Sequence, residues 1–336
     1  MEVALDRAEI SHERLDHVTA RIEWPAGQGS LLPGRLARGA ALAGVGLAGL
    51  VFGGLPILAA RRIIYPNWSD EYYRATLGNL EMALPVRPEY VVFEGRDGKP
   101  LGGWFVPAPP EVAKPWPVVM LAYGYGGFKE QMAGYSKSIH EGGFATFLFD
   151  MSGSGLRKGE PVTFGYKERW QAMDAANYLR TREDVDPARI GALGVSMGAA
   201  ATLLAAAEDP GIKAVVADSS YADLFGMVRP GISAFISPRA LFLAPLIVRS
   251  AETMLGMKSG EVRPDEAAAR LGDRALLVIH GDCDSLTDPH SAQRLYEAAT
   301  GPKELWVVPE CGHAYAPVLA PDEYKQRVNS FFQRYL

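Results

Sequence analysis

Past about residue 85 the chain alternates short apolar runs with stretches of helical periodicity, and this alternation restricts the possible folds more than any other feature. The runs are YVVFEG from Tyr90, GGWFV from Gly102, PVVMLA from Pro117, FATFLF from Phe144, RIGALG from Arg189, KAVVAD from Lys213, ALLVIH from Ala275 and ELWVV from Glu304. Helical patterns fall at 165–182, 197–208, 289–299 and 322–336; in the last of these Tyr324, Val328, Phe331, Phe332 and Tyr335 recur on one face. Strands separated by helices pair mostly in parallel and carry the helices on their two faces. The spacing therefore predicts an α/β fold with an eight-stranded, mostly parallel sheet. The first two strands straddle RDGKP, with Asp-Gly at its centre, and should form an antiparallel hairpin.

Two segments depart from that rhythm. Between the sixth and seventh strands lies a connection far longer than usual, which includes LFGMVRPGISAFISPRALFLAPLIV. It predicts a helical cap insertion at about 222–270, although the same residues could equally serve as additional core helices. Ahead of the sheet, residues 39–60 (GAALAGVGLAGLVFGGLPILAA) carry no charge and are long enough as a helix to cross a hydrocarbon core of roughly 30 Å. Arg35, Arg38, Arg61 and Arg62 bracket them, and Tyr65, Trp68, Tyr72 and Tyr73 follow at the position of interfacial aromatics.

The expected organisation is a polar leader at 1–38, a single-pass transmembrane anchor at 39–60, a juxtamembrane linker at 61–87 and a catalytic-sized domain at 88–336. A signal peptide and a buried soluble helix are the alternatives for 39–60; the long charged leader and the glycine content oppose them. Arginines are balanced on the two sides, so membrane sidedness is not set. Gly49 and Gly53 form one GxxxG pair, which offers a route to a homodimer. The net charge of −5 gives no electrostatic footprint for nucleic acid, for which a clustered basic face is expected, and nucleic-acid binding is set aside. Two cysteines, Cys283 and Cys311, are too few for a disulfide scaffold or a cysteine-based zinc site.

Chemistry enters at Gly194-Val195-Ser196-Met197-Gly198, which lies between a predicted strand and an Ala-rich helix. A serine becomes a useful nucleophile only when a base takes its proton and its hydroxyl stands clear of the sheet. A sharp strand-to-helix turn achieves the second, and glycines two residues to either side let strand and helix close on each other. A helix-capping serine is the bland alternative.

With this context the sequence resembles the α/β-hydrolase superfamily over roughly 88–336. AYGYGG, from Ala122, stands where that family carries its HGxxG oxyanion loop, with Tyr123 in place of the histidine and Gly124 as a motif glycine. Asp150 leads into SGSG, similar to the family's D-x-x-G-x-G turn. HGDCD places Asp284 at the acid position, and CGH places His313 at the histidine position. The resemblance implies Ser196 as nucleophile, His313 as general base and acid, and Asp284 as the group that orients the imidazole. It also implies backbone amides of Tyr125 and Met197 as the oxyanion hole, with no cofactor and no metal. Asp218, Asp282 and Asp288 remain rival acids, and His290 a rival base. Cys283 and Cys311 flank the acid and base loops, as two thiols or, in an oxidising compartment, as a disulfide.

The function implied is a membrane-anchored serine hydrolase acting on carboxylic esters or thioesters through an acyl-enzyme, with the apolar cap favouring lipid-like acyl substrates. A prolyl-oligopeptidase-type serine peptidase and a non-catalytic membrane-anchored binding protein remain as alternatives.

Overall fold

The computed structural model describes residues 49–66 and 84–336. All eight predicted strands form: β1 Glu89–Glu94, β2 Pro100–Val106, β3 Trp116–Ala122, β4 Ala145–Phe149, β5 Val185–Val195, β6 Ile212–Asp218, β7 Ala275–Gly281 and β8 Lys303–Val308. They make one sheet in the order β1-β2-β4-β3-β5-β6-β7-β8. β1 and β2 are the predicted hairpin, and β2 also runs antiparallel to β4; every other pairing is parallel. Burial follows position. Edge strand β1 shows only Val91 and Phe93 to the core, while β3, β4 and β7 are buried along their whole length, as expected of parallel strands covered on both faces.

The helices are α1 Leu55–Ile64, α2 Ala133–His140, α3 Glu168–Arg180, α4 Met197–Glu208, α5 Leu224–Phe235, α6 Ala244–Leu255, α7 Pro264–Ala269, α8 His290–Ala298, α9 Ala316–Leu319 and α10 Pro321–Tyr335. α2 packs against α10, whereas α3, α4, α7 and α8 pack one on the next, so two separate groups of helices cover the sheet. In α10 the predicted face is buried through Tyr324, Val328, Phe331 and Phe332. α4 is buried over nearly its full length; its alanines let it lie close against the sheet at the point that the serine turn demands.

The long insertion after β6 folds as α5, a 3₁₀ segment Pro238–Leu243, α6 and α7. Asp223 caps α5 by accepting the Gly226 N–H at 2.7 Å. Its last helix, α7, packs on α4 and α8 and so belongs to the body of the domain, while α5 and α6 build a satellite core.

That second core also contains α1. Ala60 packs with Ile232, Leu243, Ala244 and Ile247. Residues 39–48 of the expected anchor lie outside the described residues. The described part is helical past Ala60 to Ile64, with a π-helical turn at Leu50–Gly54, so Arg61 and Arg62 belong to the helix rather than to the predicted linker. Among the described residues no single helix is long and apolar enough to cross a membrane; a pair bent by 71°, Pro238–Leu255 with Ser259–Ala269, passes by length and composition only.

Under the sheet, Phe147 is fully buried and touches Phe149, Phe93 and Tyr178 at ring separations of 6.3, 5.7 and 5.6 Å. Phe147→Ala removes the side chain that joins the hairpin to the parallel strands and should cost about 3–5 kcal/mol, read as a lower denaturation midpoint at unchanged slope.

Candidate active site

The C-terminal ends of β3, β5, β6, β7 and β8 converge on one rim of the sheet. Ser196 stands between β5 and α4 with φ +55° and ψ −117°, a conformation that costs an L-residue energy and is held by its surroundings. Those surroundings leave no space for side chains on either flanking glycine. A β-carbon on Gly194 would come within 2.3 Å of the Gly198 carbonyl oxygen, and one on Gly198 within 2.2 Å of the Ala122 carbonyl oxygen. The Ser196 N–H donates to the Asp218 carbonyl at 2.8 Å, which fixes the turn against β6.

His313 Nε2 lies 3.0 Å from Ser196 Oγ, and His313 Nδ1 lies 2.7 Å from Asp284 Oδ2. The structure thus brings together residues 196, 284 and 313. The Asp284 side chain is fully buried. Burial alone would raise its pKa, but hydrogen bonds from His280, His313 and the Thr287 N–H outweigh this and hold the carboxyl well below the usual carboxylate range. Its Oδ1 accepts the Leu286 and Thr287 amides at 2.9 and 2.8 Å, which leaves Oδ2 for the imidazole.

The acid and histidine loops are also clamped through the backbone: Cys283 N–H donates to Cys311 O at 3.0 Å, and a β-carbon on Gly281 would come within 2.1 Å of that oxygen. Cys283 and Cys311 themselves are free thiols, the first exposed and the second buried, so the clamp needs no disulfide.

The rivals are placed elsewhere. Asp288 and His290 pair with each other at 2.9 Å on the surface. Asp282 Oδ1 accepts the Cys311 N–H at 3.4 Å. Asp218 is buried beneath the rim, where Tyr324 Oη donates to its Oδ2 at 2.9 Å and Ser219 Oγ to its Oδ1 at 2.9 Å.

Two supporting groups escaped the sequence reading. Ser219, at φ +54°, also accepts the Ala314 N–H at 3.0 Å and so holds the residue that follows His313. His280 donates from Nε2 to the Thr287 carbonyl at 3.1 Å and lies 3.3 Å from Asp284 Oδ2, so a second imidazole braces the acid from behind. His280 ends a strand beside the acid loop, and that position is the only signal the sequence offered.

The glycine-rich loop after β3 backs onto the serine; a β-carbon on Gly124 would meet Ser196 Cβ at 3.4 Å. Gly127 N–H closes a turn onto Gly124 O at 3.0 Å, and Tyr125 lies inside that turn. Met197 is the first residue of α4, where a helical amide has no partner within its own helix. Tyr123, in place of the family's histidine, accepts the Met151 N–H at 2.6 Å and lies 2.5 Å from Ser154 Oγ, so it ties this loop to the turn that follows β4. Beyond Tyr125 opens a cavity of about 100 Å³ lined almost wholly by apolar residues of α5 and α6, together with Ile63 and Phe164. The Tyr125 ring packs against Phe164 and Phe235 of that lining at 5.2 and 4.8 Å.

A mostly parallel sheet with a serine on a strained elbow at its rim defines a hydrolase of the α/β class. Comparison with known proteins places it further. Residues 105–269 match the family model of the X-Pro dipeptidyl-peptidases, S15 family. The uncharacterized protein YfhR of Escherichia coli is 30% identical over 235 residues, 68% of this chain and 74% of its own length. The uncharacterized protein Rv2307c of Mycobacterium tuberculosis is 30% identical over 265 residues, 76% and 85% of the two chains. Among solved structures, the Pyrococcus furiosus esterase Pf2001 superposes with a TM-score of 0.60 at 22% identity, covering 81% of this chain and 98% of the esterase. Porphyromonas gingivalis dipeptidyl peptidase 4 gives 0.60 at 19% identity over 74% of this chain and 36% of the peptidase. The chain belongs to the α/β-hydrolase superfamily, as a relative of YfhR and Rv2307c.

Burial raises the Asp218 carboxyl to about 6, against the opposing donors Ser219 and Tyr324. A raised carboxyl holds its proton in the folded chain where the unfolded chain has lost it, so its contribution is present at low pH and disappears as pH rises through 6. Asp218→Asn should therefore flatten the dependence of unfolding free energy on pH by about 3 kcal/mol between about pH 4 and pH 6, measured by denaturant titration of both proteins across that window.

Proposed function

We propose that the protein is a serine hydrolase that cleaves carboxylic esters or thioesters with apolar acyl groups through an acyl-enzyme intermediate. The observation that carries this reading is the continuous hydrogen-bonded line from Ser196 Oγ through His313 to a buried, ionised Asp284. His313 Nε2 takes the hydroxyl proton as Oγ bonds to the carbonyl carbon. The tetrahedral oxyanion is received by the amides of Tyr125 and Met197, worth about 10²- to 10³-fold in rate for each donor. Collapse expels the alkoxide or thiolate, which leaves with the proton that His313 holds. Water then attacks the acyl carbon, gives its proton to His313, and the acid departs as Ser196 recovers its hydrogen. Asp284 keeps the Nδ1–H tautomer in place and stabilises the imidazolium without accepting its proton.

The cavity beyond Tyr125 supplies the acyl subsite. Its lining is apolar, and its one carboxylate, Glu252, is occupied by the Ser259 N–H and hydroxyl, both at 2.9 Å. That lining favours acyl chains over the charged α-amino group of a dipeptide. The peptidase reading has in its favour the S15 family match over residues 105–269. The anchor at 39–60 belongs to the same proposal and would keep the site beside apolar substrates in the bilayer.

A fluorophosphonate probe should label the wild-type chain and fail to label Ser196→Ala; equal labelling of both would move the nucleophile elsewhere. Chain length gives a second check. Gly231 lines the cavity, and a β-carbon there meets only Phe235 at 3.9 Å, so Gly231→Leu should be accommodated while it fills the subsite. With p-nitrophenyl esters of increasing length, the preferred acyl chain should shorten in Gly231→Leu and the rate on the acetate should stay within about threefold.

A further inference from the structure

The insertion also has an outer surface, and its charges are of one sign. From Leu224 to Ala251 the only charged residues are Arg229, Arg239 and Arg249, with no acid among them, in a chain whose net charge is −5. All three are exposed, and among the described residues none forms a salt bridge. Large apolar side chains of the same segment are exposed as well: Phe225 is 71% exposed and Phe242 69%, with Leu246 one helical turn beyond Phe242. Solvent-facing phenylalanines set among arginines alone are the composition of a helix surface that rests at a lipid interface, where rings enter the acyl boundary and guanidinium groups meet phosphate.

The neighbouring element offers a link to a bilayer. α1 packs on this insertion through Ala60, and its other side, with Leu55, Ile57 and Leu58, is exposed, followed by Arg61 and Arg62. In the sequence this helix continues the uncharged run that begins at Gly39. A helix leaving a bilayer here would bring the insertion on which it packs close to the headgroups. We propose that the Phe225–Phe242–Leu246 face with Arg229, Arg239 and Arg249 docks on a bilayer rich in anionic lipid, and that the acyl cavity beneath it is thereby held next to its source of substrate. The docking rests on the reading of 39–60 as an anchor, and the test separates the two.

The full chain carrying Cys283→Ser and Phe242→Cys takes an environment-sensitive fluorophore at 242, and a matched protein takes it at Asp273→Cys. Asp273 is exposed just before β7, at the end of the sheet opposite the site. Each is reconstituted with vesicles of phosphatidylcholine alone or of an equimolar mixture with phosphatidylglycerol, with and without brominated acyl chains. Docking predicts several-fold stronger quenching at 242 than at 273, greatest with phosphatidylglycerol. Replacing the three arginines together by Gln should weaken the docking equilibrium roughly 100-fold while hydrolysis of a soluble short ester is unchanged. Protein that floats with the vesicles but shows equal quenching at 242 and 273 overturns the docking and leaves the anchor standing. Protein that does not float overturns both. Emission at 242 that follows protein concentration and ignores bromine assigns the face to a second copy of this chain and also overturns the proposal.

Discussion

The structure of the site depends on one close approach. Strand β5 and helix α4 meet so tightly at Ser196 that neither neighbouring glycine can carry a β-carbon, and the serine is forced into a backbone conformation L-residues avoid. The energy for that strain comes from elsewhere in the domain: a strand buried along its inner length, an alanine-rich helix that can lie close, and an amide anchored on the Asp218 carbonyl. Because the backbone turns back there, the hydroxyl points away from the sheet and towards loops that belong to other strands.

Those loops are positioned by polar contacts more than by packing. Asp284 is locked through four donors, Ser219 holds the segment after His313, and Tyr123 joins the glycine-rich loop to the turn after β4. Each lies where irregular backbone leaves the sheet and has no neighbouring strand to satisfy it, so side chains complete the hydrogen bonding. The result is a rim whose geometry is built before any substrate arrives, the condition under which dipoles stabilise developing charge at little reorganisation cost.

Much of this was legible in the order of residues, for identifiable reasons. Strands buried on both faces announce themselves as unbroken apolar runs, and the elbow glycines are dictated by sterics, so β1 to β8 and the turn at Ser196 could be found without coordinates. The supporting layer could not. His280 lies at the end of a strand and looks like any strand residue until the chain folds its ring under Asp284. Ser219 and Asp218 act through contacts with residues about 100 positions away, which no local pattern encodes. The helix boundary at Ile64 was also missed, since Arg61 and Arg62 read as the end of an apolar segment although their backbone continues the helix. That the insertion divides, with α7 joining the main body and α5 and α6 forming a small core with α1, follows from packing faces that composition does not distinguish.

The hydroxyl of Tyr125 donates to the Ile63 carbonyl at 2.7 Å. A residue of the loop behind the nucleophile thus leans on the segment that precedes the hydrolase sheet. The preparative habit of trimming such a leading segment to obtain soluble material would here strip Ile63 from the wall of the apolar cavity and leave that phenol without its acceptor. Kinetics recorded on the trimmed protein would then describe a different enzyme from the one the whole chain makes.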